Sequence, residues 1–191
     1  MREVIYIEDI RHNSELRKVV EFCCNGDKHI EAEDKFQYFV TAHFSKSKQI
    51  DAEHCLKHFR NVLDKKVYGS RRRLYKACFV EEGKNNTSAS YNKRHAHILI
   101  EKPKHLTKAQ FEKQFNSLWE DICGSDNIRW KRITNKKGGV LGLVNYCIKE
   151  IDFGNKAFIE ELSDNSSLQN NRETRHSIMA KHYGIHTSSN Y

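Results

Sequence analysis

Apolar residues recur along this chain at two periods, and the switches between them mark out its elements. Residues 3–10 alternate and predict a short strand. Residues 14–24 then read as a helix opened at Ser14 and stopped by Asn25-Gly26-Asp27. Residues 36–44, 74–81 and 94–101 are short apolar runs with β-branched and aromatic members, as strands require. Between them, residues 51–67 carry Leu56, Phe59 and Leu63 at helical spacing. Residues 107–122 do the same with Phe111, Phe115, Leu118 and Trp119, behind a capping Thr107. The Asn- and Ser-rich segment 83–93 reads as a long hairpin loop, and Pro103, the only proline, ends the strand that follows it. Residues 127–134 predict a further strand, 136–139 (Lys-Lys-Gly-Gly) a turn, and 140–150 a last helix.

Strand, helix, strand, strand, helix, strand and helix describe an α+β domain, a mostly antiparallel central sheet flanked by helices. We assign this domain to residues 36–160, with residues 1–35 as an N-terminal extension packing on it. From Leu162 the pattern is lost, and residues 161–191 read as a polar tail in which 172–183 could still form a helix. No internal repeat is evident.

Charge narrows the class of partner. Lys and Arg outnumber Asp and Glu by 33 to 25, a formal charge of +8, which favours a polyanion while also being an ordinary device for solubility. The six cysteines form no Cys-x-x-Cys pair and follow no secretory signal, so they read as reduced thiols. With no apolar run long enough for a membrane span, the expected location is the cytoplasm, or the nucleus of a eukaryotic host. No Gly-x-x-x-x-Gly-Lys-Ser/Thr loop is present, so no ATPase domain is expected.

Against this background a few residues stand out for their chemistry. His95 and His97 flank one alanine inside an apolar run; on a strand, side chains two apart share a face, so both imidazoles can reach one cation. A carboxylate completing the site should come from the neighbouring strand. Glu81 and Glu82 end that strand, and alternation lets only one of them share the histidines' face; Glu81 is favoured. Two imidazoles and one carboxylate suit Mn²⁺ or Mg²⁺, zinc also fits the donor set, and positions stay open for phosphate oxygens. Tyr146 and Lys149, three apart in a predicted helix, lie one turn apart on one face. An isolated His-x-His pair is more often a solvated strand face, and an isolated tyrosine more often packs its ring on a sheet.

In order and spacing, these segments resemble the HUH endonucleases, and within them the single-tyrosine replication initiators (Rep proteins) of rolling-circle plasmids and single-stranded DNA viruses. Phe39-Val40-Thr41-Ala42-His43-Phe44 is similar to the family's first motif, His95-Ala96-His97 to its histidine motif, and Tyr146-Cys147-Ile148-Lys149 to its YxxK motif. Glu81-Glu82-Gly83 matches a Glu-x-Gly element that members often carry. The resemblance implies a ferredoxin- or RRM-like nicking domain holding Mn²⁺ or Mg²⁺ at His95, His97 and Glu81. It implies Tyr146 as nucleophile, forming a 5′-phosphotyrosyl link to single-stranded DNA, with Lys149 holding a phosphate or positioning the tyrosine. The implied partners are single-stranded DNA, origin stem-loop DNA and a host helicase or polymerase. The same site would serve a single-tyrosine transposase or a mobilisation relaxase, and the same fold without catalysis a DNA-binding regulator.

Other residues are left open. Arg71-Arg72-Arg73, and Lys131, Arg132, Lys136 and Lys137, could clamp phosphates or be solvated faces. Trp130 and Tyr91 could stack on bases, with core burial at least as good an account of Trp130. His43 departs from the first motif and could approach metal or DNA, or end the strand. His54 and His58, an i, i+4 pair beside Cys55, read as a polar helix face.

Overall fold

In a computed structural model the described residues are 36–69, 73–81, 94–134 and 138–148, together with Val19 and Cys23. They form β1 (Tyr38–His43), a 3₁₀ turn (Lys46–Lys48), α1 (Ala52–Tyr68), β2 (Lys76–Glu81), β3 (His95–Ile100), α2 (Lys108–Cys123), β4 (Ile128–Arg132) and α3 (Gly139–Ile148). Each expected element of this region is present, with ends shifted by a few residues; the 3₁₀ turn had no counterpart. The strand expected over 3–10, the loop 83–93, the turn at 136–137 and the tail lie outside the described residues; within the helix expected over 14–24, only Val19 and Cys23 are described, and both are helical.

The four strands form one sheet in the order β2-β3-β1-β4, and every pairing is antiparallel. This is the α+β architecture that the alternation of periods predicts. No helix of the described residues is long and apolar enough to cross a membrane.

Alternation along the strands gives the sheet two faces with different coverings. Tyr38, Val40 and Ala42 of β1, Cys78 of β2 and Ala96, Ile98 and Ile100 of β3 look towards α1 and α2 and join the larger core with Leu56, Phe59, Leu63, Phe111, Phe115 and Trp119. Aromatic edges fill this layer: Phe59 meets Phe115 and Trp119 at ring distances of 4.7 and 4.9 Å. Phe39, Ala77, Phe79 and Leu99 look the other way, into a smaller core with Phe36, Tyr75, Val19, Cys23 and the Val140, Val144, Cys147 and Ile148 stripe of α3. β1 and β3 are thus buried on both faces, which is why they read as near-continuous apolar runs.

The second long helix, α2, begins and ends on local signals. Thr107 and Gln110 form a reciprocal capping box at the start of α2, as the Thr107 cap anticipates. At its end Gly124 takes a left-handed conformation (φ 71°), and a Cβ there would fall 2.7 Å from Ser45 Oγ. Only glycine therefore lets the chain turn this close to the loop after β1. A buried ion pair ties α1 to β2: Lys76 Nζ lies 2.8 and 2.9 Å from the Asp64 carboxylate oxygens and donates to Leu74 O, while Leu74 N–H donates to Asp64 Oδ1.

Candidate functional site

Register brings the histidines and a glutamate together. Glu81 of β2 stands opposite His95 of β3, and His97 is one step further on the same face, so three odd-numbered positions converge at one end of the sheet. Glu81 Oε2 lies 2.9 Å from His97 Nε2 and 3.4 Å from His95 Nε2, and the two imidazole nitrogens are 3.2 Å apart. Glu81 and His97 are buried and His95 partly so. All three ligand atoms lie within 4.8 Å of one another, and this group could hold a metal ion. Of the two glutamates weighed above, Glu81 has its carboxylate here; Glu82 lies outside the described residues.

The donor set itself tests the fit. With each imidazole protonated at Nδ1, the two Nε2 atoms and the Glu81 carboxylate oxygen present lone pairs to one another. A cation serves all three at once. Behind His97, Thr41 Oγ1 lies 3.1 Å from Nδ1. If Nδ1–H donates to that hydroxyl, Nε2 is left as a ligand lone pair; if the hydroxyl donates to Nδ1, Nε2–H can donate to Glu81. Thr41 can therefore support the ring in either tautomer, the role usual for groups behind a metal-bound histidine.

Thr41 owes this contact to its strand position. It stands directly opposite His97 in β1. Phe44 N–H donates to Arg94 O, so by alternation the Thr41–His97 and His43–His95 pairs fall at the narrow, non-hydrogen-bonded positions where facing side chains are closest. Sequence reading placed Thr41 in a motif without giving it a task. Its signal was parity: Phe39, Thr41 and His43 share one face, and only the register with β3 says which.

The tyrosine arrives from the layer above. The stripe Val140, Val144, Cys147 and Ile148 seats α3 on Phe39, Phe79 and Leu99, and Tyr146 projects from the flank of that stripe. Its ring stands edge-on to His97 at 5.3 Å between centroids and to Phe39 at 6.5 Å, yet 42 % of the residue is exposed. Phe39 also stacks on His97 at 5.1 Å. One side of the Tyr146 ring is thus held beside the candidate ligands while the residue stays open to solvent. Lys149 lies outside the described residues.

Several other expectations now have positions. Trp130 faces the larger core, with its ring against Phe115 and Phe111 and its Nε1–H donating to Asn116 Oδ1, so it is not a surface platform for bases. Arg129 and Lys131 alternate with it and are exposed on the site's face of the sheet, whereas Arg132 has the parity of Trp130. Arg73 is exposed, and Arg71, Arg72, Tyr91, Lys136 and Lys137 lie outside the described residues. His54 and His58 are exposed on α1 and line a shallow cavity of about 290 Å³ with Lys48, Cys55, Asp121 and Ile122. Among the described residues only Glu81, His95 and His97 converge as a possible metal-binding group. The five described cysteines are buried free thiols, and burial pushes the Cys55 and Cys123 thiols up from their ordinary range. In comparisons with known proteins, no family model, curated protein or solved structure matches this chain.

Proposed function

We propose that the protein is a metal-dependent endonuclease and strand transferase of the HUH type, which nicks and rejoins single-stranded DNA through Tyr146 and so initiates rolling-circle replication. The observation that carries this reading is the meeting of two elements at one point. A half-exposed tyrosine on α3 stands beside His97, and His97 shares with His95 and Glu81 a cluster that could hold a metal ion. A tyrosine nucleophile and a cation site within one side-chain length of each other are what phosphodiester transesterification asks of a protein.

Each residue then has a task. Glu81, His95 and His97 would hold a divalent cation with positions left open for oxygen; the resemblance to the HUH family favours Mn²⁺ or Mg²⁺, and the donor set also fits zinc. When bound, the ion withdraws charge from the scissile phosphate's oxygens. Thr41 and Phe39 fix the His97 ring, one by a hydrogen bond and one by stacking. Tyr146 attacks phosphorus: the bond from phosphorus to Oη forms as the bond from phosphorus to the 3′ oxygen breaks, and the phenol's proton passes to that oxygen directly or through water. A 5′-phosphotyrosyl link and a free 3′-hydroxyl result, and the reverse step joins an end. Lys149 would hold a flanking phosphate or position the tyrosine. Arg129 and Lys131, exposed on the same face one strand beyond Thr41 and Phe39, give a path for the DNA backbone.

The test is a covalent adduct. Incubated with Mn²⁺ and single-stranded DNA that includes stem-loops from its own replicon, the wild type is expected to form a protein-DNA species that survives denaturation. EDTA, Tyr146→Phe and His97→Ala should each abolish it. DNA binding without any adduct would reject catalysis and leave a DNA-binding regulator. An adduct on transposon ends or transfer origins, and none on replication origins, would move the reading to a transposase or relaxase.

A further inference from the structure

The row of side chains that ends the sheet holds one residue with no task in the site so far. His43 closes β1 directly opposite His95, and its ring lies nearly parallel to the His95 ring, with centroids 5.2 Å apart and 25° between the planes. Glu81, His95 and His43 therefore form a single row across β2, β3 and β1 on the face that carries the triad. The main chain of His43 is held from two sides: its N–H donates to Asn127 O at 3.1 Å, and its carbonyl accepts from Nε1 of the buried Trp119 at 2.9 Å. Its side chain is half-buried.

This placement does not make His43 a metal ligand. It is not among the three residues whose ligand atoms converge. An imidazole ligates through a lone pair in its ring plane, whereas a stacked ring turns its face to its neighbour. What the position offers is a ring N–H donor on the β1 side of the triad, and β1 lies between β3 and β4. A phosphodiester held at the triad lies next to this row, because His43 stands directly opposite the ligand His95, while Arg129 and Lys131 lie beyond Thr41 and Phe39 one and two rows further on.

We propose that His43 is a phosphate-positioning residue that donates a hydrogen bond to an oxygen of the phosphodiester held at Glu81, His95 and His97. The inference rests on the metal-phosphodiester reading above and adds to it a contact from β1. A hydrogen bond to a charged oxygen is worth roughly a factor of 10 or more in affinity.

Calorimetric titrations of the full chain test it, first with Mn²⁺ alone and then with a short oligothymidylate at saturating Mn²⁺. Wild type, His43→Ala, His43→Gln and His95→Ala would be compared, with folding followed by circular dichroism. The expected result is that His43→Ala binds Mn²⁺ within about twofold of wild type and the oligonucleotide roughly 10-fold more weakly. His43→Gln, which keeps an N–H donor, should recover part of the loss, and His95→Ala should lose Mn²⁺. Unchanged oligonucleotide binding in both His43 variants would overturn this inference alone. So would a loss of Mn²⁺ in His43→Ala, which would make the residue a ligand. A wild type that binds no Mn²⁺ would overturn the underlying reading and this inference with it.

Discussion

Strand β2 carries a buried charged group on each of its faces, and the two are built on opposite plans. Towards the helices, Lys76 meets a complete set of partners: its ammonium reaches both Asp64 oxygens and Leu74 O, while Leu74 N–H adds a further donor to Asp64. Positive and negative charge are balanced within the chain. On the other face, Glu81 gathers two histidines around one carboxylate oxygen. Three lone-pair-bearing groups point at a common centre there, and the chain supplies no fixed positive charge to it among the residues of the cluster. The first arrangement is self-sufficient and belongs to stability. The second brings three potential ligand atoms within reach of one another and could hold a metal ion. Burial of polar groups therefore does not by itself distinguish structure from function; the balance of donors and acceptors does.

Substitutions that leave one partner behind separate the two plans most strongly. Asp64→Asn or Lys76→Met strands a buried charge and is expected to cost about 3–5 kcal/mol in urea unfolding, with Mn²⁺ affinity unchanged. A double replacement by apolar residues should recover most of that. Saturating Mn²⁺ at about 100 times its dissociation constant should raise unfolding stability by about 2.7 kcal/mol, and Glu81→Gln should remove that increment. If Glu81→Gln without metal costs as much as Asp64→Asn, the two clusters are of one kind and the contrast fails. Thr41→Val should weaken Mn²⁺ binding by about 10–100-fold, with Thr41→Ser close to wild type, as read by calorimetry. The smallest physical effect belongs to Tyr146→Phe. Stability should move by no more than about 0.5 kcal/mol, because the residue is half-exposed, while the covalent adduct disappears.

How much of this was legible beforehand follows from which forces are local. α1 and α2 were readable from Leu56, Phe59 and Leu63 and from Phe111, Phe115 and Trp119, because a helix's apolar stripe is written in consecutive turns. Thr107 announced its helix because a cap acts within one turn. His95 and His97 could be placed on one face by parity alone, and with them one glutamate of the adjacent strand. The sheet order β2-β3-β1-β4 was not legible, and neither were the contacts that depend on it: Thr41 behind His97, His43 against His95, and Trp130 turned towards α2. Each of these joins residues far apart in the chain, and parity leaves each strand two choices that only its neighbours resolve. The 3₁₀ turn at Lys46–Lys48 was missed because Ser-Lys-Ser-Lys carries no apolar period. It forms where Gln49 bonds back to the carbonyls of Phe44 and Arg94.

Among the described residues the sheet stops at β4, whose outer backbone groups face no further strand. Such a border invites another strand to add to it, and a protein that crowds onto a polymer brings many copies of the same border together. Arg129, Lys131 and Arg132 put three exposed cations on a strand of five residues, so a second copy laid alongside would set like charges face to face. A polyanion that neutralises these cations would also lift that repulsion. If the protein binds nucleic acid as proposed, crowding along that polymer is the condition that most favours self-association through this edge.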